Sequence, residues 1–187
     1  MKIGNEIIAA VRTKSDFYDA LESGVNIIFE LSPDILTIGQ KIRLAHESGK
    51  RLFVHLDLAE GIGKDRLGIE YLKQLGIDGI ISTRLNIIKA AKDAGLFAVQ
   101  RFFILDSQSL NTTAETFKAT KADMIEIMPG TVYKVIRKLS AQTATPIIAG
   151  GLIDTASEAE EAFLNGAAAV SAGKKSLWPK RISYSNT

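Results

Sequence analysis

Short apolar runs recur at nearly even intervals along this chain of 187 residues, and they constrain its fold more than any other feature. Eight such runs, each four to six residues long, are rich in β-branched residues. This pattern is typical of strands that are buried on both faces of a parallel sheet. The predicted strands cover residues 7–11, 26–29, 52–56, 79–82, 97–102, 124–127, 146–149 and 168–171.

Segments with the spacing of amphipathic helices separate the predicted strands. They lie at residues 17–21, 67–75, 87–94, 131–139 and 157–164. The first turns of helices favour short polar side chains that cap free backbone N–H groups, which fits Asp65, Ser109, Thr155 and Ser157. A left-handed glycine commonly closes a helix before the next strand, which fits Gly24, Gly49, Gly76, Gly95 and Gly166.

Eight strand–helix units in one chain predict a compact (βα)8 TIM-like barrel, a closed ring of parallel strands. Such barrels usually have about 200 to 400 residues, so we expect short or missing outer helices. The alternative is an open doubly wound sheet, which normally carries a glycine-rich loop after its first strand. Residues 9–17 contain no glycine. We expect a single barrel domain over residues 1–178 and a polar tail over residues 179–187.

The composition excludes several kinds of protein and site. The chain has no cysteine, which excludes disulfides and thiolate metal sites, and its two histidines lie far apart in the sequence. We therefore expect no metal and no cofactor. No apolar run approaches the about 20 residues of a membrane helix, and the first residues lack the features of a signal peptide. A cytoplasmic protein is the simplest prediction. The formal charge of +2 neither requires nor excludes a nucleic-acid partner.

In a βα barrel the working residues lie at the carboxyl ends of the strands, on one face of the ring. Polar residues and glycines follow the last six predicted strands, so we expect a small-molecule site there. The candidates, in chain order, are His55, Asp57, Glu60, Gly61, Ser82, Arg84, Gln100, Arg101, Glu126, Gly130, Gly150, Gly151, Ser171, Gly173 and Lys174.

Two glycine steps, Gly150–Gly151 and Gly173, follow the seventh and eighth strands. Loops in these two places frequently bind phosphate, because a glycine lets backbone N–H groups approach an anion closely. Lys174 would add a positive charge, so the sequence predicts a phosphate-binding site. The alternatives are that the glycines only make tight turns and that Lys174 and Lys175 are a solvated pair.

Two pairs of side chains are expected to meet at the same end of the barrel. His55 and Asp57 are two residues apart, so they share a face of their strand. They can bind each other, bind a ligand hydroxyl or serve as structural packing. Glu126 lies between two isoleucines that are expected to face the helices, so its carboxylate points inward and needs a partner. Arg101 on the neighbouring strand is the predicted partner.

The catalytic features of several enzyme classes are absent from the sequence. It contains no nucleophile elbow and no lysine within a predicted strand, where a Schiff-base lysine is expected. Three hypotheses stay open: a regulator that binds a small phosphorylated ligand, an enzyme, and a scaffold. The enzyme would be an epimerase, isomerase or lyase that uses Asp57 or Glu126 as acid or base.

Several motifs together resemble the family of glycerol uptake operon antiterminator regulatory proteins. The resemblance extends from about residue 7 to residue 178, and its most specific segments are GIISTR, QRFFILDS and IIAGGLI. Further matching segments are VHLDLAEGIGKD, DMIEIMPG and GAAAVSAGKKSLW. The resemblance implies a non-enzymatic protein that binds glycerol 3-phosphate and the leader mRNA of glycerol-utilisation genes. It also adds Thr83, Asp106 and Pro129 to the candidate residues. Residues 171–173 depart from the family, in which Thr-Thr-Ser replaces Ser-Ala-Gly.

An RNA backbone requires several positive charges on one face of a protein. Trp178 either stacks on a base or packs under the barrel rim. Lys134, Arg137 and Lys138 form one group of cations, on the helical segment at 131–139. The sequence leaves open whether the chain forms a homo-oligomer. We expect the RNA-binding face at the residues after the last strand, which are Lys174, Lys175, Lys180 and Arg181.

Overall fold

A computed structural model describes residues 5–105 and 120–180, and the described chain forms a closed barrel of eight parallel strands. The strands are β1 (Glu6–Val11), β2 (Ile27–Glu30), β3 (Arg51–His55), β4 (Gly79–Ser82), β5 (Phe97–Phe103), β6 (Met124–Met128), β7 (Ile147–Gly150) and β8 (Ala169–Ala172). Each strand pairs with the next in sequence, and β1 pairs with β8 to close the ring. The predicted barrel is confirmed, and the open sheet is excluded.

Six α-helices surround the barrel in the described residues: α1 (Lys14–Glu22), α2 (Ile38–Glu47), α3 (Arg66–Gln74), α4 (Leu85–Asp93), α5 (Tyr133–Ser140) and α6 (Ala156–Leu164). They are eight to ten residues long. After β8 the described chain forms one short 3-10 helix, Lys175–Leu177. The prediction of short outer helices is therefore confirmed. Within residues 5–105 and 120–180, no helix has the length and apolar character needed to cross a membrane.

The first turns of two helices confirm predicted capping residues. Asp65 caps α3 by accepting the N–H of Gly68 at 3.0 Å. Thr155 caps α6 by accepting the N–H of Glu158 at 3.2 Å, and Glu158 in turn accepts the N–H of Thr155. Ser157 lies in the first turn of the same helix, whereas the predicted Ser109 lies outside the described residues.

One of the five glycines predicted to close helices has a different role. Gly49, Gly76, Gly95 and Gly166 have φ angles between +72° and +95°, as predicted. Gly24 also follows α1 as predicted, directly after the C-cap residue Ser23, but it has no positive φ. Its N–H donates to the carbonyl oxygen of Pro179 at 2.5 Å, and a Cβ there would lie 2.6 Å from the carbonyl oxygen of Lys180. A glycine is required because the chain after β8 passes directly against it.

Inner and outer faces of the strands carry different side chains. The isoleucines on either side of Glu126 point outward and pack with Ile136 and Leu139 of α5, as predicted. Inside the barrel, the rings of Phe29 and Phe53 stack with their centroids 5.6 Å apart, in a buried apolar cluster. Burial of one such side chain contributes about 1.5–3 kcal/mol. The apolar interior leaves only the carboxyl-terminal end of the ring for polar side chains.

Two aspartates tie together the amino-terminal end of the barrel. Asp78 accepts the N–H of Leu52 at the start of β3 at 2.9 Å. Asp123 accepts the N–H of Ala98 in β5 at 2.8 Å and forms an ion pair with Lys92, with Nζ–Oδ1 of 2.7 Å. These polar groups are therefore used in structural contacts at the end opposite the predicted site.

Trp178 packs against the barrel and is only 7% exposed. Its Nε1–H donates to the carbonyl oxygen of Ala172 at 2.8 Å. This confirms packing under the rim, because a buried ring cannot stack on a base. Pro179 and Lys180 then contact the turn between α1 and β2. The barrel's contacts thus continue two residues beyond the predicted domain boundary at 178.

Candidate functional site

A layer of polar side chains lies inside the barrel at the carboxyl ends of the strands. Arg101 of β5 and Glu126 of β6 are directly paired in the strand register. The distance from Arg101 Nε to Glu126 Oε2 is 2.6 Å, and the two side chains are 4% and 0% exposed. The predicted ion pair is confirmed. Its burial means that each charge depends on the other for compensation.

Ser171 of β8 is hydrogen-bonded to the second oxygen of the Glu126 carboxylate. Its hydroxyl donates to Glu126 Oε1 at 2.6 Å. Gly150 of β7 lies between these two strands, and a Cβ there would overlap Glu126 Oε1 and lie 2.7 Å from Ser171 Oγ. The absence of a side chain at Gly150 therefore makes room for the carboxylate and its serine partner. In this arrangement the hydroxyl hydrogen of Ser171 is directed at Glu126.

His55 connects the ion pair to the other side of the mouth. Its Nδ1 lies 3.5 Å from Arg101 Nη1, and its Nε2 lies 3.6 Å from Asp57 Oδ2. A guanidinium only donates, so this contact assigns the lone pair to Nδ1 and the hydrogen to Nε2. Nε2 is buried and has no hydrogen-bond partner in the structure. His55 and Asp57 are neighbours, as predicted, but the separation is slightly longer than a hydrogen bond.

Asp57 joins the loops after β3 and β4. It accepts hydrogen bonds from Ser82 Oγ at 2.7 Å, from the Thr83 N–H at 2.7 Å and from Thr83 Oγ1 at 2.8 Å. Arg84 Nε lies 3.6 Å away. Burial alone would raise the pKa of Asp57, but His55 and the Thr83 and Ser82 donors hold this pKa well below its ordinary value. A carboxylate has about four acceptor positions, so one stays available for a ligand.

The Asp57→Asn variant is expected to lose about 2 kcal/mol of unfolding free energy at neutral pH, because hydrogen bonds to a charged acceptor are worth about 1.5–3 kcal/mol. The lowered pKa of Asp57 stabilises the fold above the unfolded value of about 3.9. That contribution is lost progressively as the pH falls from about 4 toward the lower pKa of the folded state. Urea denaturation at pH values from neutral to acidic should show the two proteins converging. A difference that stays constant would contradict the role of the ionised carboxylate. Asp93→Asn changes an exposed carboxylate on α4 and is the control.

The two predicted phosphate loops differ in their packing. Gly151 has a φ of +73°, and its carbonyl oxygen accepts the N–H of Gly130 at 2.9 Å. A Cβ at Gly130 would lie 2.9 Å from the backbone N of Gly150. At Gly173, by contrast, a Cβ would make only an ordinary contact of 3.5 Å with the Ala10 carbonyl oxygen. β7 and β8 are adjacent, so the structure brings both glycine steps to one side of the mouth. Lys174 beside them is exposed.

Three other predicted ligand residues lie outside the polar layer. Glu60 and Gly61 are exposed in the loop after β3, where the Glu60 carbonyl oxygen accepts the N–H of Ile35. Gln100 alternates with Arg101 along β5, so its side chain points toward the helices. The structure therefore does not bring Gln100 to the mouth, which corrects its prediction as a ligand residue. Asp106 lies outside the described residues.

The predicted RNA-binding residues do not form one surface. Lys174 is exposed beside the mouth, whereas Lys180 pairs with Ser23 just after α1, at the opposite end of the barrel. Lys175 Nζ lies 2.8 Å from Asp16 Oδ1 and also binds Asp19. These hydrogen bonds raise the pKa of Lys175 and compensate its charge. The prediction of a single face is wrong for these three residues, and the fourth, Arg181, lies outside the described residues.

The pairing of Asp57 with Ser82 and Thr83 was not among the predictions from the sequence. The signal was the order of the strands: β3 and β4 are adjacent in a barrel, so the residues at their carboxyl ends meet. In the described residues, no group of three or more acidic or histidine side chains is placed to hold a metal ion.

The closed ring, the buried polar layer and the paired glycine steps define a βα barrel with a candidate small-molecule site at its carboxyl-terminal mouth. The chain belongs to the glycerol-3-phosphate responsive antiterminator family, whose sequence model matches residues 7–178. The family suggested by the sequence motifs is confirmed.

Similar proteins support this assignment. Protein YgcP of Escherichia coli, described as uncharacterized, is 34% identical over 175 residues, which cover 93% of this chain and 92% of YgcP. A glycerol uptake operon antiterminator regulatory protein from Listeria monocytogenes has a crystal structure with a TM-score of 0.88 and 32% identity, over 92% of this chain and 94% of that one. The crystal structure of a glycerol uptake operon antiterminator-related protein from Thermotoga maritima has a TM-score of 0.84 and 32% identity. The match covers 95% of this chain and 99% of that one. Aldolases with 11–15% identity share the fold alone.

Proposed function

We propose that this protein is a transcription antiterminator that binds glycerol 3-phosphate at the barrel mouth and, in response, binds the leader mRNA of glycerol-utilisation genes. The observation that carries the proposal is the family match over residues 7–178. The protein acts in the cytoplasm, where leader transcripts are made. The polar layer and the glycine steps supply groups suited to a small phosphorylated polyol.

The phosphate group is assigned to the side of the mouth formed by β7 and β8. Backbone N–H groups at Gly151 and Gly173 donate to it, and the exposed Lys174 supplies a positive charge. The polyol end lies toward β3 and β4. There the remaining acceptor position of Asp57 takes a ligand hydroxyl, and His55 Nε2–H, which is buried without a partner, donates to a ligand oxygen.

The contacts of Glu126 favour binding over catalysis. Both of its oxygens are occupied, one by Arg101 and the other by Ser171, each at 2.6 Å. An efficient general base has a pKa near the working pH. Asp57 is held by three donors and its pKa lies well below the ordinary value, so its carboxylate is a weak base although it keeps one acceptor position for a ligand. Glu126 is committed to its buried ion pair with Arg101, so we assign the site to ligand recognition.

Glycerol 3-phosphate is expected to stabilise the protein without being consumed. At 100 times its dissociation constant, a ligand that binds only the folded state adds about 2.7 kcal/mol. Thermal denaturation with glycerol 3-phosphate, inorganic phosphate and glycerol measures the effect, and product analysis of the same samples measures turnover. The Lys174→Gln variant should retain its fold and require more ligand for the same shift. Product formation would support an enzyme and contradict the proposal.

The proposed binding of leader mRNA requires a separate measurement. Filter binding of a leader transcript from a glycerol-utilisation gene, with and without glycerol 3-phosphate, should give different dissociation constants. By thermodynamic linkage, the transcript must change ligand affinity by the same factor. Equal RNA affinities in the two conditions, at ligand saturation, would overturn ligand-responsive regulation even if the thermal shift is observed.

A further inference from the structure

α5 differs in charge from every other α-helix in the part of the chain that the structure describes. It carries Lys134, Arg137 and Lys138 and no acidic residue. α1 to α4 each combine positive residues with at least one acid, and α6 carries three glutamates and no lysine or arginine. α5 therefore carries positive charge without any negative charge of its own, whereas α1 to α4 each contain both.

The three cations share one exposed face of α5. Ile136 and Leu139 are buried against the barrel, and Lys134, Arg137 and Lys138 lie on the opposite side of the helix. Their spacing makes them neighbours, and like charges at such spacings repel. No described carboxylate forms an ion pair with any of the three. This surface is thus complementary to an anionic partner.

The helix dipole stabilises only two of the three cations on α5. Arg137 and Lys138 lie in the last turn, where positive charge is favourable. Lys134 lies in the first turn, where positive charge opposes the partial positive charge of the helix end. A partner that spans the whole face would stabilise all three, including the one that the helix itself disfavours.

The loop before α5 packs on the glycine loop of the candidate ligand site. Gly130 donates its N–H to the Gly151 carbonyl oxygen at 2.9 Å, and its Cα faces the backbone of Ala149 and Gly150. α5 begins at Tyr133, three residues after Gly130. A ligand that shifts the Gly150–Gly151 backbone therefore acts directly on the start of α5.

We infer that the basic face of α5, formed by Lys134, Arg137 and Lys138, contacts the phosphate backbone of RNA. The inference rests on the proposed function and names the surface that serves it. It replaces the predicted face at Lys174, Lys175, Lys180 and Arg181, whose described members the structure separates. An acidic protein segment is the competing partner, and the experiment distinguishes the two.

The test replaces Lys134, Arg137 and Lys138 together with glutamine. The matched control replaces Arg43, Lys73 and Lys89, which are exposed on α2, α3 and α4, so both variants lose the same charge. The probe is a fluorescein-labelled single-stranded RNA pool of random sequence, titrated with and without saturating glycerol 3-phosphate at several salt concentrations. Polyglutamate is titrated in parallel. Thermal shift with glycerol 3-phosphate verifies that both variants fold and bind ligand.

The α5 variant is expected to bind the RNA pool at least about tenfold more weakly, and its salt slope should fall by about 2, at about 0.7 per lost contact on a single strand. The control variant should change both values much less. Equal losses in the two variants, or RNA binding by the α5 variant equal to that of the parent, would overturn the inference while leaving the proposed function standing. Loss of polyglutamate binding alone would assign the face to an acidic protein. A parent protein that binds neither the pool nor a leader transcript would overturn both proposals.

Discussion

Replacing Arg101 with methionine is expected to lower the unfolding free energy by about 3–5 kcal/mol, which is the usual cost of leaving one member of a buried ion pair without its partner. Glu126 is 0% exposed, and after the substitution Ser171 is its one remaining hydrogen-bond donor among the residues that the structure describes. Methionine retains much of the volume of the arginine stem, so the loss measures charge compensation more than packing. Urea denaturation at neutral pH measures the change.

Two further variants give the Arg101 prediction its controls. Glu126→Gln removes the charge that Arg101 compensates, so the double variant should lose less stability than the sum of the single variants. Lys92→Met breaks the pair with Asp123, whose side chains are 31% and 28% exposed, and is expected to cost only about 1 kcal/mol or less. Additive effects of the Arg101 and Glu126 substitutions would show that the pair does not act as a unit.

The Arg101–Glu126 pair was predictable because barrel geometry is regular. Alternation along a strand determines which side chains point inward, and the order of the strands determines which of them are neighbours. The isoleucines flanking Glu126 identified its face, and β5 precedes β6 in the ring. The same rules also exclude Gln100 from the mouth, since it alternates with Arg101.

The course of the chain after β8 was not predictable from local sequence. Lys174 and Lys180 are close in sequence, but the segment between them runs from one end of the barrel to the other. Gly24 resembles a helix-closing glycine, yet it is required by its contact with Lys180, more than 150 residues away. Such contacts depend on where the chain returns after the ring has closed. Neither periodicity nor turn composition carries that information.

The start of α2 is another feature that the sequence does not predict. Its buried residues Ile38, Ile42 and Ala45 have helical spacing, and Gly49 ends the segment with a left-handed φ, as predicted. Its amino-terminal end lacks a sequence signal, because Thr37 makes no side-chain capping hydrogen bond to the helix. Thr37 instead binds Asp34 within the preceding loop. The sequence therefore indicated the glycine that closes this helix, but residues 38–47 were not among the predicted helical segments.

Replacing Gly150 with alanine is expected to destabilise the protein by about 3 kcal/mol, the upper part of the range for inserting a methyl group into a packed interior. The new Cβ would overlap Glu126 Oε1 and lie 2.7 Å from Ser171 Oγ. The carboxylate has little room to move, because Arg101 also holds it at 2.6 Å. Relief requires breaking one of its two hydrogen bonds, and the backbone at the phosphate loop shifts with it. Glycerol 3-phosphate binding should therefore weaken together with stability.

Gly173→Ala is the matched substitution in the other phosphate loop. Its Cβ would meet only the Ala10 carbonyl oxygen at 3.5 Å, Gly173 has no positive φ, and the backbone N–H remains available to the ligand. We expect the melting temperature and the thermal shift with glycerol 3-phosphate to stay close to those of the parent. Similar losses in the two variants would contradict the distinction between a glycine that accommodates Glu126 and a glycine that only presents its N–H. A Gly150→Ala variant as stable as the parent would show that the Glu126–Ser171 contact can rearrange without cost.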